Sequence, residues 1–251
     1  MPDLGFAGLV CADGDVDAAQ RVADRLCAMA WDRRRTFNLG LTALDEVIAI
    51  GLAGAGMTLV SDTGDAPTGG SPADSPAVLR ALLESDAANS DRLILLTLCD
   101  ATAAERARRA GAGARVTVSL GHTISTTMGS PVTVTAKVAS VSDGVYTLVD
   151  EGQKGLEVSM GPTAVLAIGA SRILVRARPS IEWDTGMYRS QGLEPASAAL
   201  VFVKSPSHFR ASFGPLAARI LLADTPGPTR ADLRALPYRE VTRPLFPLDD
   251  I

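Results

Sequence analysis

Apolar positions recur along this chain in two rhythms, and the change from one to the other outlines its organisation. Residues 4–12, "LGFAGLVCA", form a short apolar run that predicts a buried strand. "DGD" then opens a helix, with Asp13 or Asp15 as its cap. Val16, Ala19, Val22, Ala23, Leu26, Met29 and Ala30 follow at three-and-four spacing, which predicts an amphipathic helix to about Arg35. A second helix is expected from a Thr42 cap to about Ala53, then a strand over 57–62. The glycine-rich stretch "SDTGDAPTGGSPADSP" (61–76) leads to a helix from about Asp74 to Leu83. "RLILLTLC" reads as a strand buried on both faces, and "DATAAERARRAGAGA" as a helix closed by Gly111 and Gly113. Strand and helix thus alternate over the first 115 residues, as in a layer of mainly parallel strands.

From about 114 to 178 the rhythm shortens to two. "RVTVSLG", "VTVTAKVASVSDG", "VYTLVD", "LEVSMG", "AVLAIG" and "RILVRAR" alternate β-branched and polar residues between Gly and Ser-Asp-Gly turns, which predicts an antiparallel β block. Beyond it come a helix at "DTGMYRSQGL", a strand at "ALVFVKS", a helix at "HFRASFGPLAARI" and a strand at "ILLAD". The proline-rich tail reads as extended. The fold class expected is α/β, a mixed sheet with flanking helices plus an antiparallel β-rich subdomain, all within a single domain spanning 1–251.

Composition narrows the function classes. The chain has 251 residues, 47% hydrophobic, with net charge -4, so it carries none of the basic surface of a nucleic-acid reader. Arg33-Arg34-Arg35 reads as a helix end, where cations suit the dipole. Aromatics at 4% leave an aliphatic core. Cys11, Cys27 and Cys99 have neither metal-ligand nor CxxC spacing and read as buried, inert thiols of a reducing compartment. The longest apolar tract, Val47–Val60, is too short and glycine-broken for a membrane span. No basic stretch precedes the first apolar run, so it makes a poor signal peptide, and a soluble, cytoplasmic protein without membrane partners is expected.

Candidate chemistry is sparse. His122 and His208 are far apart, each without a ligand-type neighbour at helical spacing, and no HExxH, Gly-x-Ser-x-Gly or phosphate-loop motif occurs, so no metal site is expected on these residues. His122 sits in the loop-like "GHTISTTMG" and reads as a surface polar residue. His208 lies just past a predicted strand, at a helix start that Ser205 or Ser207 could cap, with Lys204 and Arg210 beside it. Strand ends are where open α/β sheets collect ligands, though on sequence alone capping and packing explain His208 slightly better. Gly69 and Gly70 permit close backbone approach, yet Asp62, Asp65 and Asp74 would repel phosphate. The acidic loop suits a metal, a water or a donor-rich substrate, or else is an acidic turn with Asp74 as helix cap.

Several of these blocks, in order along nearly the whole chain, resemble the C-terminal domain of the MlrC family, zinc metallopeptidases of the microcystin-degradation type. "VCADGDVDAAQRVADRLCAMAWDRR" resembles the family's strand, turn and long helix. "SDTGDAPTGGSPADSPAVLRALLE" resembles its Asp-Asn-Pro-Gly-Gly-Gly-Ala-Pro-Gly-Asp loop and helix. "VFVKSPSHFRASFGPLA" is similar to its Lys-Ser-x-x-His-Phe block, and "LPYREVTRPLFPLD" to its closing segment. Asp65, Pro67, Gly69, Gly70, Pro72 and Asp74 match the loop, while Ala66 replaces an Asn or Asp and Thr68 a Gly. His122 and Thr123 stand where the family usually has the second Gly and the Lys of a Gly-Gly-Lys segment.

The resemblance implies a zinc hydrolase of small, peptide-like amides whose zinc ligands lie in a preceding N-terminal domain that this sequence lacks. On that reading the chain is one half of the enzyme, pairs with a separate metal-bearing half, binds no zinc alone and closes the substrate cleft. Asp65 and His208 are then the residues expected to support catalysis, with Gly69, Gly70, Ser205 and Arg210 binding substrate. The alternative, which Ala66 and Thr123 favour, is a non-catalytic binding or regulatory module derived from the same family.

Overall fold

The computed structural model describes residues 5–37, 39–150 and 152–251, and the chain divides into two compact units. The larger unit, 41–232, holds an eight-stranded mixed sheet. Its elements in chain order are α2 (Leu44–Ala53), β1 (Met57–Asp62), α3 (Ala77–Glu84), β2 (Ile94–Cys99), α4 (Ala101–Ala110), β3 (Arg115–Leu120), β4 (Val132–Ser142), β5 (Val145–Thr147), β6 (Glu157–Ser159), β7 (Thr163–Ile168), β8 (Ser171–Arg176), α5 (Gly186–Arg189), β9 (Leu200–Val203), α6 (Phe209–Phe213) and β10 (Ala217–Ala223). The smaller unit, residues up to 40 with 233–251, carries α1 (Val16–Asp32).

Strand order in the sheet is β10-β1-β9-β2-β8-β7-β4-β3. The first five run parallel and the last three join by antiparallel pairing. The period-two block over 114–178 therefore continues the parallel sheet rather than standing apart from it, with only β5 and β6 forming a separate ribbon.

Every residue of β1 and β2 is buried, the pattern of strands covered on both faces. One face buries Val60, Leu96, Leu98 and Phe202 in a cluster with Val47 and Ile48 of α2, Leu79 and Leu82 of α3 and Ala104 of α4. The opposite face packs Leu59, Leu95, Val201 and Val203 with Tyr146, Met187, Tyr188, Phe209 and Phe213. Four of the five buried aromatics thus gather on this side, Phe202 being the exception; there Tyr188 and Phe213 meet edge-on at 6.4 Å and the Tyr188 hydroxyl donates to the Phe202 carbonyl. On the other side, small residues at Ala103, Ala104 and Ala107 let α4 lie close to the sheet. Asp100 caps that helix by accepting from the Ala103 N–H at 2.9 Å, and Gly111 at φ 82 ends it.

Five expectations change. Residues 5–12 form no strand, with Phe6 72% and Leu9 89% exposed, because among the described residues no neighbouring strand pairs with them; Leu4 lies outside the described residues. Thr42 caps nothing: its backbone bonds Leu222 and Asp224, extending the sheet beside β10, and α2 begins after Ala43. The helix expected from Asp74 starts at Ala77, since Pro76 disfavours helical geometry at Ser75. The segment expected as one helix from His208 stops at Phe213 and Gly214-Pro215 turns the chain into β10. Of the three thiols only Cys99 is buried; Cys11 and Cys27 are exposed.

In the smaller unit, Asp15 caps α1 by accepting from the Ala18 N–H at 2.8 Å. No α1 residue is buried, because the stripe meets no core of its own there. Arg34 lies 4.1 Å from the Trp31 ring centroid and donates to the Ile251 carbonyl, tying the tail to the helix end. No described helix is long and apolar enough to cross a membrane.

Candidate functional site

All five parallel strands run out into polar residues at their C-terminal ends: Asp62 closing β1, Lys204 after β9, Asp100 after β2, Arg176 closing β8, and Thr225 beyond β10. This is the edge where open α/β sheets assemble their sites. Here most of the charge is buried, and Asp62, Asp65, Asp74, Arg176, Glu182 and Lys204 are all at most 4% exposed. Such groups persist in a core only when paired.

The pairing centres on Lys204. Its ammonium donates to Asp62 at 2.7 Å, to Asp65 at 2.9 Å and to the Ser75 carbonyl at 3.3 Å. The other Asp62 oxygen accepts from the Thr225 hydroxyl at 2.5 Å. Asp65 accepts further from the Ser71 hydroxyl and, at 2.7 Å, from the Ser75 N–H. Thr225 and Thr229 take the N–H groups of Gly64 and Ala66, fastening the acidic loop to the segment after β10. A Cβ on Gly64 would stand 2.2 Å from the Thr225 carbonyl, so only glycine allows that approach.

Burial pulls the Lys204 pKa down, but Asp62 and Asp65 more than restore it, leaving it above the ordinary lysine value. Burial also raises Asp65, yet Lys204, Ser71 and Ser75 together outweigh it and hold the carboxyl below its usual value. Asp62 has fewer donors, and burial wins there: its pKa is raised despite Lys204. The cluster therefore holds a charged lysine against a firmly ionised Asp65 and a reluctant Asp62.

A second pair sits alongside. Glu182 binds Arg176, accepts from Thr97 at 2.7 Å and accepts from the Lys204 N–H at 2.8 Å, so the two pairs are joined through the backbone of one residue. Burial pushes the Cys99 thiol, near these charges, up to about 11.

The residues singled out in the sequence divide into an inner and an outer set. Asp65 is wholly buried and its oxygens are occupied by Lys204, Ser71 and Ser75. Gly69 and Gly70 are exposed, but their N–H groups close turns onto Ala66 and Pro67. Ser205 is 1% exposed: its carbonyl accepts from the Ser61 hydroxyl at 2.6 Å and its own hydroxyl has no partner. His208 is exposed at the start of α6 with its ring 5.1 Å from that of Trp183, and the Arg210 guanidinium lies 5.0 Å from the Phe209 ring. Asp74 does not cap α3; it accepts from Ile124 and Ser125, tying down the loop that carries His122. Asp65 and His208 lie beyond the ends of the adjacent strands β1 and β9.

In the sequence Lys204 stands out only as a neighbour of His208 and as the lysine of the Lys-Ser-x-x-His-Phe block, with no link to the acidic loop, and Arg176 and Glu182 do not stand out at all. A lysine closing an apolar strand ("LVFVK") and an arginine closing another ("RILVR") were the available signals. Among the described residues no three of His, Cys, Asp or Glu are grouped as metal ligands, and Asp62 and Asp65, which share one cation, already hold an ammonium. Among the described residues, then, no side-chain set fits a resident zinc.

Comparison with known proteins agrees with this architecture. A crystal structure from Mesorhizobium sp. BNC1, described as a putative metallopeptidase, superposes with a TM-score of 0.78 at 27% identity, covering 93% of this chain and 46% of that one. Microcystinase C of Sphingomonas sp. is 24% identical over 193 residues, 77% of this chain and 36% of that protein. The chain thus spans less than half the length of both relatives. The family model described as MlrC C-terminus matches residues 60–240, from the second half of β1 through β10 and beyond, and the chain belongs to that family.

Proposed function

We propose that this chain is the C-terminal half of an MlrC-like metallohydrolase of peptide-like amides, and that it closes the substrate cleft against a separate half that bears the metal. The observation that carries the reading is the polar edge built on β1, β9 and β10, all within the family match. The zinc implied by the family belongs in this reading to the other half, since among the described residues no ligand set is grouped.

This half's contribution is positioning and binding. Asp65, neutralised by Lys204 and held by Ser71 and Ser75, sets the conformation of the loop over 65–75 and acts on substrate through it. His208, steadied by Trp183, donates to a substrate carbonyl or to the charge developing on it. The free Ser205 hydroxyl and the exposed Arg210 are the remaining donors on the same chain segment, and Gly69 and Gly70 shape the loop's exposed tip.

The saturated carboxylate of Asp65 also favours a second reading, a non-catalytic module of the same family whose edge serves only stability. Co-expression with a metal-bearing N-terminal half from a relative separates the two. A stable complex with metal-dependent peptidase activity that falls on His208→Ala supports the enzyme reading. Failure to form a complex or to show activity leaves the module.

A further inference from the structure

A pocket of about 300 Å³ lies between α3 and the loop over 121–130, and of the residues around Lys204 only Ser75 reaches it. Its size is at the small end for ligand sites. Ser75, Ala77, Arg80, Glu84, His122 and Ser130 line it. Three features set it apart from a chance crevice.

The start of α3 opens onto it uncapped: Pro76 occupies the cap position and no side chain accepts from the first turn. Ser75, 6% exposed, spends its N–H on Asp65 and its carbonyl on Lys204, which leaves its hydroxyl for the pocket. His122 is held in a left-handed conformation at φ 51, unusual for a residue with a side chain. Its N–H donates to the Asp74 carbonyl at 2.7 Å and its Nδ1 meets the Ser125 carbonyl at 3.1 Å, so the ring is fixed with Nε2 against Gly129.

The charges are arranged in sequence along one wall. Arg80 donates to the Ser130 carbonyl and hydroxyl, at 2.9 and 3.2 Å, rather than to Glu84 one turn further on. The pocket therefore offers donors at one end, from the start of α3, Ser75 and Arg80, and a carboxylate at the other, from Glu84. From Ala77 to Glu84 the helix rises roughly 10 Å, about the length of three extended residues.

We propose that this pocket binds a short peptide with free ends, its carboxylate at the start of α3 and Arg80 and its ammonium at Glu84. The inference extends the peptide-like substrate class of the preceding reading, but binding is measured on this chain alone. Its failure leaves the reconstitution test standing, and failure of reconstitution leaves this pocket standing.

The test is titration of the isotopically labelled chain with triglycine, followed by NMR at Gly129 and Ser130. The controls are acetyl-triglycine, triglycine amide, sodium acetate and inorganic phosphate. Saturable triglycine binding near ~1 mM is expected, with either blocked peptide weaker by about tenfold, the effect of losing one charge-assisted contact. Arg80→Gln should abolish the preference for a free carboxylate alone, and Glu84→Gln the preference for a free amino end alone. Gly129→Ala, whose Cβ would stand 2.5 Å from His122 Nε2, should weaken all peptides together and serves should Arg80→Gln fail to fold. Equal binding of free and blocked peptides overturns the proposal. So does acetate or phosphate binding as tightly as triglycine, or the absence of saturation.

Discussion

Replacing Lys204 by Met keeps the side chain's length and removes its charge, leaving Asp62 and Asp65 buried without their cation. Each of the two contacts, at 2.7 and 2.9 Å, is worth roughly 6 kcal/mol of Coulomb attraction at an effective dielectric constant of about 20. Much of that is offset by the cost of desolvating all three groups. The aspartates have an escape, because each can take up a proton. At pH 7 that costs about 4 kcal/mol per carboxyl, 1.36 kcal/mol for every unit above a reference pKa near 3.9. Asp62, already raised by burial, takes it first. A loss of ~4 kcal/mol at pH 7 is therefore expected, inside the range of about 3–5 kcal/mol for breaking a buried pair. The loss should shrink by roughly 2.7 kcal/mol at pH 5, because protonation there is cheaper by two units. Guanidinium unfolding of both proteins at the two pH values reads this directly. Adding Asp62→Asn to Lys204→Met should recover stability, with a coupling above ~2 kcal/mol in the double-mutant cycle. A loss under about 1 kcal/mol at pH 7, or one that does not depend on pH, would refute the argument.

Three further outcomes follow from the same geometry. Gly64→Ala should destabilise by about 1–3 kcal/mol in the same unfolding assay, because its Cβ would meet the Thr225 carbonyl, which is backbone and cannot swing away. In mass-resolved maleimide labelling of the native protein, Cys11 and Cys27 should react quickly, whereas Cys99, buried and with its pKa pushed up to about 11, should wait for unfolding. Stability should fall off at both ends of the pH scale. The Asp65 contribution is present above roughly pH 4 and disappears as acid passes its lowered folded value. The Lys204 contribution is complete below about pH 10 and disappears as alkali passes its raised one, a limb absent from Lys204→Met; Asp62, raised, works the opposite way and costs stability above about pH 4.

Elements whose burial is decided locally were legible in the sequence. β1 runs from Met57 to Asp62 as its apolar block predicts, and α4 has the Asp100 cap and Gly111 stop that "DATAAERARRAG" advertises. Residues 5–12 have the same apolar run without the outcome, because a strand also needs a neighbour, and hydrophobicity does not supply one. Thr42 had the composition of a cap but was claimed by the sheet. In the site, the acidic loop and the Lys204–His208 block were both visible, but not their relation. Lys204 meets Asp62 and Asp65 across more than 130 residues of chain, a contact that β1–β9 pairing creates and no spacing rule encodes. The expectation that Asp65 supports catalysis rests on the family resemblance and its place past a strand end; neither signal contains the lysine that occupies its carboxylate.

The position of β1 also bears on how the chain is made. It lies between β9 and β10, whose residues begin at Leu200 and end at Ala223. A ribosome adding ~5–20 residues per second leaves "MTLVSD" without either neighbour for roughly 7–30 s after it emerges. For that interval an apolar strand with two unpaired edges stands in solution, open to pairing with other nascent copies. The last parallel strand to appear is thus the one that ends the danger, and yield on expression should depend on chaperone capacity at that late stage rather than on the stability of the finished sheet.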